Sequence, residues 1–476
     1  MRLASLLLLQ LGMMIFALSA EAQPQNTLPR FEPIEEGTPF PVSVPEAFEA
    51  TRGWLVVAED RSSETLREIR LPVAIVRSRT KKKHDPVVYL AGGPGVSAMN
   101  AAAYPGAYPW TAERDFIVMG QRGTHDSHPA LMCPEFRKAV AAGEDQARAV
   151  TECRERLAAS GIGLQHYHSL SSADDLEDLR QALGIETWNL YGTSYGTRLA
   201  LVYARQYGDA VRAMVLDSPL PPNAIYDDQS DINFENALRA IAADCATQSI
   251  CRTAFPDLEK RFFATVEAVS DNPIRLDGID DAITGAELAA SVSISSAEDV
   301  RRAPQRMDKV ARLDPAIFEG WQTGGWASDF AWGMRLSVWC REALPFSRRS
   351  QRDGPGTALG GYESAAIQPA LCEAWHVPPL EGDFVAAVVS DVPTLILAGQ
   401  FDPLTPPIWG HLAARTLSNS RVISVRGEAH LPTQQWSGDG CAMSVAAAFI
   451  RHPDPSTRVD ACLSGREAPE YLLPQD

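Results

Sequence analysis

Positive charge is scarce in this 476-residue chain: 43 Lys and Arg stand against 60 Asp and Glu, for a formal net charge of −17. Nucleic acids and anionic membrane surfaces select for basic patches, so neither is expected as a partner. No long apolar run follows the first, Leu3 to Leu18, so no later membrane span is expected. The eight cysteines include no Cys-x-x-Cys pair and no metal-ligand spacing, and His166-x-His168 has no third ligand spaced to join it. Neither a metal nor an organic cofactor is therefore expected. No internal repeat and no long low-complexity tract is present, so the chain is not a repeat array.

What is present begins with an export signal. Arg2 supplies a charge, Leu3 to Leu18 is largely apolar, and Ala20-Glu21-Ala22 fits a small-x-small cleavage site. Residues 1–22 are expected to be removed, giving a chain that starts near Gln23, secreted or periplasmic, with no stable membrane insertion after cleavage. No cysteine lies near the cleavage site, which argues against a lipid anchor. In an oxidising compartment the cysteines pair. Short loops favour Cys133 with Cys153, Cys245 with Cys251, Cys340 with Cys372 and Cys441 with Cys462, one choice among about 105.

The length suits one large domain with an insertion, or two domains. After a Pro-rich lead (Pro24 to Pro45), Gly53 to Val57 and Ile69 to Val76 read as an antiparallel pair at a sheet edge, where Pro72 is tolerated. Lys81 to Lys83 reads as a solvated turn. Val87 to Ala91, Asp115 to Met119, the strand before Ser194 and Val211 to Leu216 are short buried-type strands. Between them Asp174 to Leu183 is an amphipathic helix opened by Ser172, with Asp175 three residues on as in a capping box. Alternating strands and helices predict an α/β class with a mostly parallel, doubly wound sheet. From 219 to 391 the rhythm gives way to helical patterns, read as an inserted helical cap. Its aromatics Phe318, Trp321, Trp326, Phe330, Trp332 and Trp339 are read as cap core ahead of substrate contacts. Strands return at Pro393 to Gly399 and Arg421 to Val425, followed by a helix from Cys441 to Ile450. The expected organisation is thus 23–218 and 392–476 as two parts of one core around the insertion.

The most informative stretch is Tyr191-Gly192-Thr193-Ser194-Tyr195-Gly196-Thr197, at the join of a strand and a helix. Gly-x-Ser-x-Gly in that setting is a sharp turn that projects its serine, with glycines where neighbouring side chains would clash. A serine hydroxyl needs a base, usually a histidine oriented by a carboxylate. Asp402 and His430 each follow a late strand and come in the order Ser, Asp, His. Asp217, at the end of the strand after the nucleophile helix, is the rival acid. His125, His128, His166, His168, His376, His411 and His452 lack a late-strand position. An oxyanion needs two N–H donors; Tyr195 supplies one, and Gly92 or Gly93, on a glycine-rich loop after an early strand, the other.

Together these stretches resemble the proline iminopeptidase and tripeptidyl aminopeptidase family of α/β-hydrolases. The resemblance runs through Leu71 to Ala74, Gly92-Gly93-Pro94-Gly95, Gln121-Arg122-Gly123, Cys133-Pro134, Asp174 to Arg180, Tyr191 to Thr197, Val215-Leu216-Asp217 and Asp402 to Pro406. Cys441 and Cys462 around a helix look like the secreted tripeptidyl-aminopeptidase-like branch. Ala91 stands where the family usually has His, and Gly120 where it usually has Asp. The resemblance implies an α/β-hydrolase fold and removal of N-terminal residues, prolyl or tripeptidyl, from peptides with a free N-terminus. A carboxylate near the cap should then bind the α-amine; Glu342 and Glu235 are the candidates, each also readable as an ordinary cap salt-bridge residue. A carboxylesterase with the same triad and a catalytically silent binding protein on this scaffold are the alternatives.

Overall fold

The computed structural model describes residues 28–474 apart from 64–66, 81–83, 276–281, 319–327, 349–367, 437 and 457–460. The expected signal peptide, the Lys81 to Lys83 run, Trp321 and Trp326 lie outside the described residues, and so does the side chain of Phe318. One nine-stranded sheet runs in the order β1-β2-β3-β5-β4-β6-β7-β8-β9. Its strands are β1 (Arg30–Pro33), β2 (Ala50–Ala58), β3 (Glu68–Val76), β4 (Val87–Leu90), β5 (Phe116–Met119), β6 (Trp188–Thr193), β7 (Val211–Asp217), β8 (Thr394–Gly399) and β9 (Ser420–Val425). Pairing is antiparallel from β1 through β3 to β5 and parallel from there to β9.

Both faces of the parallel part are covered, which is why its strands are continuous apolar runs. Alternation along β4 sends Val88 and Leu90 into one core and Val87 and Tyr89 into the other. The helices, in chain order, are α1 (Pro134–Ala142), α2 (Gln146–Ala159), α3 (Ser169–Ala182), α4 (Tyr195–Tyr207), α5 (Tyr226–Thr247), α6 (Ser249–Ala254), α7 (Leu258–Asp271), α8 (Gly285–Ala290), α9 (Ala297–Ala311), α10 (Trp332–Glu342), α11 (Pro369–Trp375), α12 (Pro407–Ala414), α13 (Cys441–Arg451) and α14 (Ala461–Ser464). Leu176 and Leu199 of α3 and α4 pack on the first face, Val445 and Phe449 of α13 on the second. Helices α5 to α11 all fall between β7 and β8 and build two further apolar clusters, one around Trp332, Trp339 and Trp375, the other around Phe262 and Met307. Phe330, Trp332 and Trp339 are accordingly buried. None of the described helices is long and apolar enough to cross a membrane.

Three expectations are corrected. The antiparallel pair β2–β3 is not the edge, because β1 covers β2; Arg30-Phe31-Glu32-Pro33 carries no apolar alternation that would have shown it. Pro72 is tolerated for another reason. Gly120 N–H donates to Pro72 O, one position beyond the Val73–Met119 pair at which the β3–β5 register begins, so the proline withholds a donor only at the end of that ladder. Finally, α3 starts at Ser169, not near Ser172, with His168 at its N-cap accepting from Ser171 N. Asp175 therefore caps nothing. It is fully buried and takes both Nε and Nη2 of the equally buried Arg122 at 2.7 Å, with Arg61 on the other side. A buried pair needs such a bidentate geometry to offset desolvation.

The four disulfides join Cys133–Cys153, Cys245–Cys251, Cys340–Cys372 and Cys441–Cys462, the pairing that short loops favour.

Candidate active site

Gly-Thr-Ser-Tyr-Gly turns from β6 into α4, and Ser194 sits in the turn with φ +54° and ψ −122°, a conformation strained for a non-glycine residue. The turn is held against the ends of neighbouring strands: Ser194 N–H donates to Asp217 O, and a Cβ at Gly196 would lie 1.9 Å from Leu90 O. Only glycine fits there. Ser194 is half-buried while its neighbours on both sides are buried.

The loops after β8 and β9 bring Asp402 and His430 together. Asp402 Oδ2 lies 2.8 Å from His430 Nδ1. The other oxygen, Oδ1, accepts the N–H groups of Leu404 (2.8 Å) and Thr405 (2.9 Å), an Asx-type turn that aims the carboxylate. Thr405 Oγ1 donates to Asp402 Oδ2 and lies 3.2 Å from His430 Nδ1. Burial alone would raise the Asp402 carboxyl; the facing imidazole and the Thr405 bonds outweigh it and hold the group below its usual range. For His430, burial pulls the imidazole down, but the charge and hydrogen bond of Asp402, with the charge of Asp217, raise it above 6.5.

Ser194 and His430 share a cavity of about 530 Å³ with Gly92 and Gly93 at the end of β4. It opens at the carboxyl ends of the parallel strands, where ligands bind in open α/β sheets. A Cβ at Gly92 would meet Ser194 Cβ at 2.9 Å, so the glycine lets that backbone lie directly against the serine. Gly93 adopts φ +109°. Gln121 Nε2 donates to Ala91 O and braces the same loop. Gly120 is explained by space: a Cβ there would sit 2.8 Å from Pro72 Cγ and 3.1 Å from a carboxylate oxygen of Asp126, which accepts from Ser97 and Thr124.

The far wall comes from the helices between β7 and β8. Tyr226, Arg335 and Trp339 line it, beside Val96, Leu220, Leu404 and Leu431. Trp339 is thus both core and cavity wall, joining the two roles weighed for the aromatics of this stretch. Thr405 and Gln434 also went unassigned, although the Asp-Pro-x-Thr spacing of the turn could have pointed to Thr405.

The two expected amine anchors are not in this wall. Glu342 is fully buried, accepting from Ser169 N and, at 2.7 Å, from Ser169 Oγ, with Arg198 3.8 Å away. Burial raises its carboxyl, opposed by Arg198. Glu235 pairs with Arg239 one turn along α5. Asp217 is buried at the end of β7 and binds the His430 loop, accepting from Thr433 N–H at 3.1 Å and from Thr433 Oγ1. His166 lies near Asp60, and His168 caps α3.

A family model described as the alpha/beta hydrolase fold matches residues 85–433. The chain is 25% identical over 435 residues to serine protease Hip1 of Mycobacterium tuberculosis, covering 79% of this chain and 81% of that protein. It is 33% identical over 194 residues to a tripeptidyl aminopeptidase of Streptomyces lividans, covering 36% of this chain and 35% of that one. To carboxylesterase B of Mycobacterium tuberculosis it is 25% identical over 425 residues, covering 79% of this chain and 80% of that protein.

Proposed function

The chain belongs to the alpha/beta hydrolase fold family, and from that premise we propose a serine aminopeptidase that works outside the cytoplasm, secreted or periplasmic, on peptides with a free N-terminus. The observation that carries the chemistry is the 2.8 Å contact between Asp402 and His430, with His430 and the strained Ser194 on one cavity. Ser194 Oγ attacks the scissile carbonyl carbon while His430 takes the hydroxyl proton at Nε2. Its Nδ1–H stays on Asp402, which fixes the tautomer and balances the imidazolium. The oxyanion is held by the N–H of Tyr195 and that of Gly92 or Gly93. His430 passes its proton to the departing amine, leaving an acyl-enzyme; water then enters by the same base and frees Ser194. Similarity to Hip1 and to the tripeptidyl aminopeptidase favours a peptide bond. The four disulfides and the signal-like residues 1–22 support the location.

Ser194→Ala should cost turnover on the order of 10⁶-fold. Near-normal turnover in that variant, or failure of Ser194 to label with a fluorophosphonate, removes the mechanism and leaves a silent binding protein.

One observation favours a second reading, a carboxylesterase. No Asp or Glu is among the described residues that line the cavity, so a free α-amine has no counter-charge there. Turnover of free and N-acetylated peptide anilides decides. An aminopeptidase loses the blocked substrate; an esterase prefers p-nitrophenyl esters and ignores the blocking group.

A further inference from the structure

Glu342 is a buried carboxylate that the proposed chemistry does not use, and α10, which carries it, touches the site twice more. Arg335, Trp339 and Glu342 are spaced four and three residues apart and so share one face of that helix. Arg335 Nη1 donates to Gly93 O at 2.8 Å. Trp339 lines the cavity, with the Arg335 guanidinium 4.8 Å and the Arg198 guanidinium 5.8 Å from its ring centre. Glu342 accepts both donors of Ser169, and Ser169 Oγ lies 2.8 Å from Tyr195 Oη.

The donor directions are fixed by chemistry. With Glu342 ionised opposite Arg198, its carboxylate only accepts, so Ser169 Oγ–H points to Glu342, and the Tyr195 hydroxyl then donates to Ser169. Tyr195 is fully buried, and its backbone N–H is one of the two donors proposed above for the oxyanion. One helix face therefore reaches both sides of the proposed oxyanion hole: the Gly92-Gly93 loop through the Gly93 carbonyl, and Tyr195 through the hydroxyl of Ser169. Trp339, on the same face, lines the cavity.

We propose that Glu342 is a positioning residue, which with Arg335 braces the two halves of the oxyanion hole from a single helix, and does not bind the substrate amine. This rests on the serine-hydrolase reading above. In Glu342→Gln the amide cannot accept from both Ser169 donors. The hydroxyl relay turns round, and the Tyr195 proton loses its acceptor in a site without water access.

The test is kinetic, on purified full-length protein. Glu342→Gln should lower kcat about tenfold, a partial loss of one oxyanion donor. The loss should be equal on a free-amine peptide anilide and on p-nitrophenyl acetate, with KM within about twofold on each. Tyr195→Phe should reproduce it, and the double variant should be no slower than either single, because both break one chain of hydrogen bonds. Arg335→Met acts on the other donor, so its kcat loss should multiply with that of Glu342→Gln. A KM rise confined to the free-amine substrate makes Glu342 an amine anchor and overturns the proposal. Unchanged kcat in both Glu342→Gln and Tyr195→Phe overturns it too. If Glu342→Gln does not fold, Tyr195→Phe alone decides. Activity surviving in Ser194→Ala is a different failure, that of the hydrolase reading.

Discussion

Asp402 and Asp217 stand at the ends of neighbouring parallel strands, 2% and 0% exposed, yet their surroundings drive them in opposite directions. Asp402 faces a histidine that can become a cation and takes hydrogen bonds on both oxygens, and its carboxyl is held low despite burial. Asp217 takes Thr433 on Oδ2 alone; no hydrogen bond reaches Oδ1 among the described residues. Burial pushes it up to about 7, against the pull of those Thr433 bonds. Two side chains of one type, equally buried and one strand apart, are separated by what completes their hydrogen bonds. Only the first has the geometry to orient a base.

The sharpest way to break this comparison is to neutralise each carboxylate in turn. Asp402→Asn keeps the shape but offers an amide to His430 Nδ1, favouring the wrong tautomer. We expect kcat to fall by about 10⁴. Asp217→Asn keeps an oxygen for Thr433 and should cost less than about tenfold. Steady-state kinetics on one chromogenic substrate gives both numbers; equal losses would make Asp217 the orienting acid.

The contrast was half visible in the sequence. Ser194, Asp402 and His430 were legible because each depends on local backbone: a turn that tolerates only glycines at 192 and 196, and two loops that follow predicted strands. The disulfide partners were legible for a similar reason, as the loops are short. The environments were not. Whether Asp217 gains a partner depends on Thr433, more than two hundred residues away. Glu342 was a candidate amine anchor only through the family resemblance, beside a cap salt-bridge reading, and nothing in the sequence pointed to its contacts with Ser169 at the start of α3 and Arg198 of α4. Contacts of this kind, between the helices that follow β7 and the rest of the chain, have no period or spacing in the sequence, so neither the contact of Arg335 with Gly93 nor the place of Trp339 in the cavity wall could be read beforehand.

A second effect is on stability. The Asp217 carboxyl is raised from an ordinary 3.8 to about 7 in the folded protein, so between those values the native state holds a proton that the unfolded chain has lost. Native stability from this group is fully present below about pH 4 and drains away as pH rises through 7. Asp217→Asn carries no such term. Relative to the parent, it should therefore gain on the order of 2 kcal/mol between pH 5 and pH 8, read by urea unfolding at the two pH values. A parent and variant whose difference is the same at both would mean that Asp217 is ionised throughout and has found a partner for Oδ1.

The smallest effect links the two carboxylates through the base. Activity requires neutral His430, whose imidazole the Asp402 contact raises above 6.5, so the acid limb of kcat/KM should lie above that ordinary histidine value. The charge of Asp217 adds to the same rise. That charge, however, is itself lost as pH falls through about 7, so the two groups, each acting on the other, titrate as a coupled pair and the limb belongs to neither alone. Asp217→Asn removes the coupling. The limb should move to lower pH and sharpen to a single ionisation, with the plateau above pH 8 little changed. A kcat/KM profile from pH 5 to 9 resolves this, and a limb that keeps its position and slope would show that Asp217 is neutral to His430 and serves only to tie down Thr433.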